Sequence, residues 1–312
     1  MEANQTLERI KQNIKQVIVG KDGVIDLLLV SLICSGHVLI EDMPGLGKTT
    51  LVSALASSLG CSFRRIQFTP DVLPSDITGF TMFNMKTGEQ ELHPGCIMNQ
   101  IILADEINRT SPKTQSALLE VMQENQVTID GKTYPAPAPF MVLATQNPVE
   151  LAGTYPLPEA QLDRFFMRIS MGYPSHQEEM AILNNHRIRA RRETLSAVAS
   201  AADILEIQNL VDGIYCAHAV TDYVVSIAEA NRTVNGVLLG VSPRGSIALM
   251  QAAKGAALLA GRGYVLPDDI QRMAFPVLCH RMVMRPQAAV HRQTPASVLD
   301  AVLRTIPVPA MR

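Results

Sequence analysis

Glu41-Asp42-Met43-Pro44-Gly45-Leu46-Gly47-Lys48-Thr49-Thr50 stands between a short apolar run, His37 to Glu41, and a helical stretch, Leu51 to Leu59. A strand, a glycine-containing turn and a helix in that order make a loop suited to phosphate. Gly45 and Gly47 let backbone N–H groups close on an anion, and the helix N-terminus adds a favourable partial charge. Lys48 is placed to reach β- and γ-phosphates, and the Thr49 hydroxyl to ligate Mg²⁺. The general pattern G-x-x-x-x-G-K-[ST] asks for glycine at position 42, where this chain has Asp42.

Further apolar runs follow at Phe63 to Phe68, Ile101 to Asp105, Phe140 to Gln146 and Phe166 to Met171. The nearly continuous Val, Ile, Leu and Ala of the His37 and Phe140 runs predict strands buried on both faces, hence a parallel sheet covered by helices. The third run ends in Asp105-Glu106. Neighbours on a strand point to opposite sides, so the two carboxylates serve different tasks: Asp105 near Mg²⁺, Glu106 beside an attacking water. The fourth delivers Asn147-Pro148 to the carboxyl edge, where open α/β sheets bind ligands and a neutral amide can sense a phosphate. Arg164 precedes the fifth run, and Arg244 follows Ser242-Pro243 in the first turn of a later helix; both are expected to contact phosphate.

Two interruptions break the alternation of strand and helix. Gly79 to Leu92 flanks the turn Lys86-Thr87-Gly88, and Gln126 to Tyr134 flanks Asp130-Gly131, a dipeptide that favours a two-residue hairpin turn. Both read as inserted β-hairpins. After Tyr173-Pro174 the texture becomes helical, with helix starts expected at Ser175, Asp203, Ser242-Pro243 and Pro267-Asp268. The expected division is an α/β domain over residues 1–175 and an all-helical domain over 176–312. A first amphipathic helix is expected over about residues 5 to 18, and the basic segment Arg187 to Arg192 reads as a solvated face.

The chain has 312 residues, enough for about two domains. Its 27 Lys+Arg against 29 Asp+Glu give a net charge of -2, which excludes a chain-wide basic surface for nucleic acid. The five scattered cysteines form no C-x-x-C pair, which argues against a disulfide framework and fits a reducing cytosol. The polar amino terminus and the short Leu27 to Cys34 run lead us to expect no membrane insertion and a cytoplasmic location. The seven histidines show no metal-binding spacing such as H-E-x-x-H.

Four stretches carry a resemblance over about residues 5 to 285: EDMPGLGKTT, IILADEINRTSPKTQSALLEVMQE, ATQNPVELAGTYPLPEAQLDRF and VSPRGSIALMQAAKG. The chain resembles the AAA+ ATPases and, within them, the MoxR group. The resemblance implies a P-loop NTPase core with a five-stranded parallel sheet, a helix-2 insert at about 71–97, a hairpin before sensor 1 at about 125–135, and a small all-α lid. It assigns Lys48 and Thr49 to Walker A, Asp105 and Glu106 to Walker B, Asn147 to sensor 1, Arg164 to the arginine finger and Arg244 to sensor 2. Asp42 is familiar at its position in the group. Ile18, Val19 and Gly20 are expected against adenine.

The expected function is hydrolysis of ATP to ADP and phosphate, with Mg²⁺, by a ring, expected to be hexameric, that remodels, matures or activates client proteins. The resemblance adds a von Willebrand A-type partner. A nucleic-acid motor is the alternative from another class, disfavoured because the hairpins offer one lysine each, Lys86 and Lys132. A motor subunit of a metal-chelatase complex stays open as well. A small-molecule P-loop kinase is disfavoured, since it needs neither a lid arginine nor paired hairpins.

Overall fold

The computed structural model describes residues 2–148, 153–184, 195–290 and 292–310. The segment Arg187 to Arg192 and positions 149–152 of the third quoted stretch lie outside the described residues.

Five strands form the central sheet: β1 (Val38–Glu41), β2 (Phe63–Gln67), β5 (Ile101–Asp105), β8 (Met141–Gln146) and β9 (Met167–Ile169), in the order β2-β5-β8-β1-β9 and all parallel. The period-2 alternation of each strand divides the core into two. Val38, Ile40, Ile101, Leu103, Met141, Leu143, Met167 and Ile169 face one apolar layer. Leu39, Ile102, Ala104, Val142 and Ala144 face the other. The first layer receives α1 (Glu2–Lys15), α2 (Asp22–Ile33) and α3 (Lys48–Ser58); the second receives α5 (Pro112–Glu124). With both faces covered, the inner strands β5, β8 and β1 need no polar side, which explains their nearly continuous apolar composition, whereas the edge strand β2 carries Arg64, Arg65 and Gln67.

Both hairpins form. Helix α4 (Pro74–Thr78) leads into β3 (Gly79–Asn84) and β4 (Glu89–Pro94), and β6 (Gln126–Ile129) pairs with β7 (Lys132–Pro135). Asp130 and Gly131 adopt φ values of 47° and 80°, the positive pair that a tight two-residue turn requires. The hairpins also touch: Thr81 donates from its N–H (3.1 Å) and hydroxyl (2.5 Å) to one oxygen of Asp130, and these bonds hold the carboxyl below its usual range.

A short turn of helix, α6 (Glu159–Leu162), precedes β9, and α7 (His176–Asn184) follows it. Beyond lie α8 (Ala201–Asp212), α9 (His218–Thr233), α10 (Pro243–Leu259), α11 (Pro267–Leu278), α12 (Pro286–Val290) and α13 (Pro295–Thr305). Two expectations are refined here. The cap of α8 is Ser200, whose hydroxyl accepts from the Asp203 N–H while the Asp203 carboxylate accepts from Ser200, so Asp203 is the fourth member of a capping box rather than its start. The helical region also holds a short antiparallel pair, β10 (Val237–Leu239) with β11 (Val283–Met284). Two- and three-residue strands have too little alternation to announce themselves. Helices α1 and α2 share one apolar layer with α8 to α11, so the amino terminus binds the helical region to the sheet.

Candidate functional site

Strand register decides which residues meet. Glu41 is level with Gln146 on β8, Ala104 with Ala144, and Gln67 with Asp105. The loop after β1, the acidic pair closing β5 and Asn147 after β8 therefore share the carboxyl edge of the sheet.

In the loop, Gly45 and Gly47 both have φ of 86°, a left-handed backbone that a side chain would strain. Gly47 is the cap of α3, so the first N–H groups of that helix open toward the loop. Lys48 Nζ donates to the Asp42 carbonyl (2.8 Å), which arches the side chain back over the turn. Asp42 itself is buried. Its carboxylate accepts from Ser170 Oγ (2.7 Å), Met171 N (2.5 Å) and Gly172 N (3.2 Å), tying the start of the loop to the chain leaving β9. A glycine in its place would release that tether, so the side chain that departs from the general pattern has a structural use within the chain.

Beside the loop lies a cavity of ≈ 210 Å³, lined by Ile18, Val19, Gly45, Leu46, Gly47 and Thr50 together with residues after β9. This is below the roughly 300–1,000 Å³ of pockets for whole drug-sized ligands, and suits one flat ring system with its polar appendage outside. Gly20 stands next to that wall. Its φ is 66°, a left-handed backbone that favours glycine, and the Glu178 side chain of α7 lies against it.

The two carboxylates are fixed from different sides. Thr145 Oγ1 donates to Asp105 Oδ1 (2.6 Å) and accepts from the Glu106 N–H (2.8 Å). Arg65 donates to Asp105 Oδ2 through Nη2 (2.6 Å) and Nε (3.1 Å). Glu106 leaves the strand with φ of 57°, rare for a residue with a side chain, and its Oε2 accepts from Gln67 Nε2 (2.8 Å) and pairs with Arg109 Nε (3.1 Å). The separation of the two side chains thus comes from this backbone reversal as well as from strand alternation.

Arg65, Gln67 and Thr145 were not legible as site residues. The signal was present in Arg65 and Gln67, two positions apart and so on one face of β2, but their partners follow only from the pairing of β2 with β5.

Arg164 sits against α5, donating from Nη1 to the Leu119 carbonyl (2.8 Å), beside a cavity lined by α5 residues and Gln161. Arg244 is exposed in the first turn of α10, which Ser242 caps by accepting from the Gly245 N–H. Neither arginine is among the residues lining the cavity beside the loop.

The available metal ligands are hard oxygens, the Asp105 carboxylate and the Thr49 hydroxyl. Among the described residues no group of three or more His, Cys, Asp or Glu could hold a metal alone. That donor set fits Mg²⁺, which is commonly held by one or two carboxylates together with substrate phosphates and water.

Comparison with known proteins identifies the family of this fold. The profile of the ATPase family associated with various cellular activities (AAA) matches residues 37–167, and that of the AAA lid domain matches residues 229–302. Protein YeaC of Bacillus subtilis (strain 168) is 50% identical over 98% of this chain and 96% of its own. Chaperone MoxR1 of Mycobacterium tuberculosis (strain ATCC 25618 / H37Rv) is 42% identical over 97% of this chain and 82% of its own, and Protein MoxR of Paracoccus denitrificans 33% over 94% of each. A crystal structure of a candidate ATPase from Cytophaga hutchinsonii superposes with a TM-score of 0.92 at 37% identity, covering 99% of this chain and 96% of that one. With a phosphate loop, an acidic strand end and a helical lid in one chain, and relatives of this identity along its whole length, the protein belongs to the AAA+ ATPases of the MoxR type.

Proposed function

We propose that the chain hydrolyses ATP at this edge, completes the site with Arg164 from a neighbouring copy in a ring, and uses the cycle to remodel or activate a client protein. The observation that carries this reading is the split arrangement: loop, carboxylates and Asn147 share one edge, while Arg164 lies against α5.

The backbone N–H groups of Gly45 to Thr49 would hold the phosphates, with Lys48 exchanging the Asp42 carbonyl for a phosphate oxygen. Ile18 and Val19 would cover adenine. Thr49 and Asp105 would hold Mg²⁺, which when bound neutralises phosphate charge and orients the β- and γ-groups. Glu106, once released by Gln67 and Arg109, would accept a proton from water that Asn147 helps to orient. Arg164 would stabilise the charge that develops on the transferred phosphoryl group, in trans. Arg244, exposed at the start of α10, would reach phosphate from the lid side.

A hexameric ring, a client and a von Willebrand A-type partner complete the proposal. The naming of one relative as a chaperone supports the client. Exposed Met82, Phe83 and Met85 on the β3–β4 hairpin offer an apolar surface for it. Nucleic acid is a poor fit, since Lys86 and Lys132 are the single lysines of their hairpins. No helix among the described residues is long and apolar enough to cross a membrane, and the cysteines are free thiols, which fits a cytoplasmic setting.

Mixing two inactive variants tests the trans site. Glu106→Gln and Arg164→Ala should each bind ATP and hydrolyse it poorly. In a mixed head-to-tail ring, about a quarter of interfaces join an intact Glu106 to an intact Arg164. Phosphate release should return in the co-assembled mixture; a mixture as inactive as either parent overturns the reading.

A further inference from the structure

Arg281 stands at the end of the single turn that follows α11, with its side chain only 3% exposed. A guanidinium is always charged and has five N–H groups to satisfy, so one this deep must find acceptors. Its Nε donates to Asp163 Oδ1 (2.7 Å). Its Nη2 donates to the carbonyls of Phe165 (2.7 Å) and Asp163 (3.4 Å). Its Nη1 donates to the carbonyls of Phe166 (3.2 Å) and Val277. One side chain from the helical region therefore grips the backbone on both sides of Arg164.

A second set of contacts meets at the same carboxylate. Asp163 Oδ2 accepts from Ser242 Oγ (3.4 Å), and that hydroxyl also caps α10, whose first turn carries Arg244. The two arginines expected at phosphate are 80 positions apart in sequence. Their backbones nevertheless hang on one ion pair, in which Arg281 is buried and Asp163 half-buried. A lysine could not reproduce this, because an ammonium lacks the planar fork that reaches a carboxylate and several carbonyls together.

We propose that Arg281 and Asp163 are positioning residues of the ATPase, fixing the segment that bears Arg164 to the helix that bears Arg244 so that Arg164 keeps its place. The proposal rests on the roles given to those arginines above. It concerns coupling: neither Arg281 nor Asp163 is expected to touch nucleotide, and Arg281 acts through Arg164.

The test is a double-mutant cycle on the full chain, made of the parent, Arg281→Lys, Arg164→Ala and the double variant. Single-turnover ATP hydrolysis and ADP affinity are measured on each. Arg281→Lys should slow hydrolysis about tenfold while ADP affinity stays within about twofold, and on the Arg164→Ala background it should change the remaining rate by less than about twofold. A merely structural role would give the same fold-loss in both backgrounds; that result, or no loss in the parent, overturns the proposal. Hydrolysis by Arg164→Ala at the parental rate is a different failure, which overturns the reading of Arg164 and the coupling with it. If circular dichroism shows Arg281→Lys unfolded, Asp163→Asn carries the same cycle, since it keeps an acceptor for the guanidinium and removes the charge.

Discussion

At the carboxyl edge of the sheet, charged groups are held by neighbours, most of them on other strands: Asp105 by Thr145 and Arg65, Glu106 by Gln67 and by Arg109 in the turn that follows it, Glu41 by Gln146 and Arg168. On the β3–β4 hairpin the opposite holds, with Phe83 58% exposed and Met85 90% exposed beyond the sheet core. The first region sets geometry before substrate arrives, because fixed dipoles and charges need little rearrangement when charge develops. The second exposes an apolar patch that contributes little to folding, as an interaction surface does. The β6–β7 hairpin lies between these extremes. Its Val127 and Ile129 are buried in the second apolar layer, so only its turn and polar face are free to meet another molecule.

The contrast is broken most sharply at the edge. Lys48→Ala should abolish nucleotide binding in a calorimetric titration. Glu106→Gln should bind normally and lose hydrolysis by about 10²- to 10⁴-fold, the usual contribution of a positioned proton acceptor. Should Glu106→Gln release phosphate at the parental rate, the edge is not where the chemistry happens.

Asp42→Gly would install the general pattern's first glycine and remove the acceptor of three hydrogen bonds. Hydrogen bonds to a charged group are worth about 1.5–3 kcal/mol each, so even with partial compensation by water a loss of about 3 kcal/mol is expected in urea unfolding. An unchanged midpoint would mean that the loop is not preset by this tether.

His37 gives a smaller, pH-dependent signal at the base of β1. Its Nε2 donates to the Met122 carbonyl and its Nδ1 accepts from the Val142 N–H, so the ring is buried neutral, and burial pushes its pKa down to about 4. Because the folded value lies below the unfolded one of about 6.5, stability is present above pH 6.5 and is lost as pH falls toward 4, at up to about 1.4 kcal/mol per pH unit. Burial and Arg281 lower the His280 pKa too, with the same sign. The unfolding free energy measured between pH 7 and 5 should fall, and His37→Gln should flatten that slope; a slope unaltered by the substitution removes His37 from the account.

The smallest basal effect belongs to the exposed hairpin. Phe83→Ser with Met85→Ser should change stability by less than about 0.5 kcal/mol, as surface substitutions do, and keep basal ATPase within about twofold. Stimulation by a client should disappear. Retained stimulation would show that the apolar patch is not the contact surface. Shortening the arms of β6–β7 would be a poorer test, since it removes Val127 and Ile129 from the core and confuses folding with contact.

What could be read from the chain was local or periodic. The strand–glycine–lysine–helix order of residues 37–59, the apolar runs of the sheet and Asp130-Gly131 each express a backbone preference within a few residues. Short strands such as Val283–Met284 carry no such period and were missed. The cap at Ser200 was displaced by three residues because Ser200 and Asp203 are both good caps, and the helix geometry chooses between them.

The sequence by itself determined that Lys48, Asp105, Glu106 and Asn147 belong to the carboxyl edge of a parallel sheet, because each directly follows or closes a strand or opens a helix whose type is dictated by local composition. Only the tertiary structure decided what holds them. Arg65 and Gln67 reach the carboxylates through the β2–β5 register, Thr145 through β5–β8, and Ser170 to Gly172 reach Asp42 across 128 to 130 residues. Arg281 finds the backbone around Arg164 across 115 to 118. Such partners are selected by sheet order and by the need to satisfy buried charge, and neither leaves a period or a spacing in the chain for sequence to show.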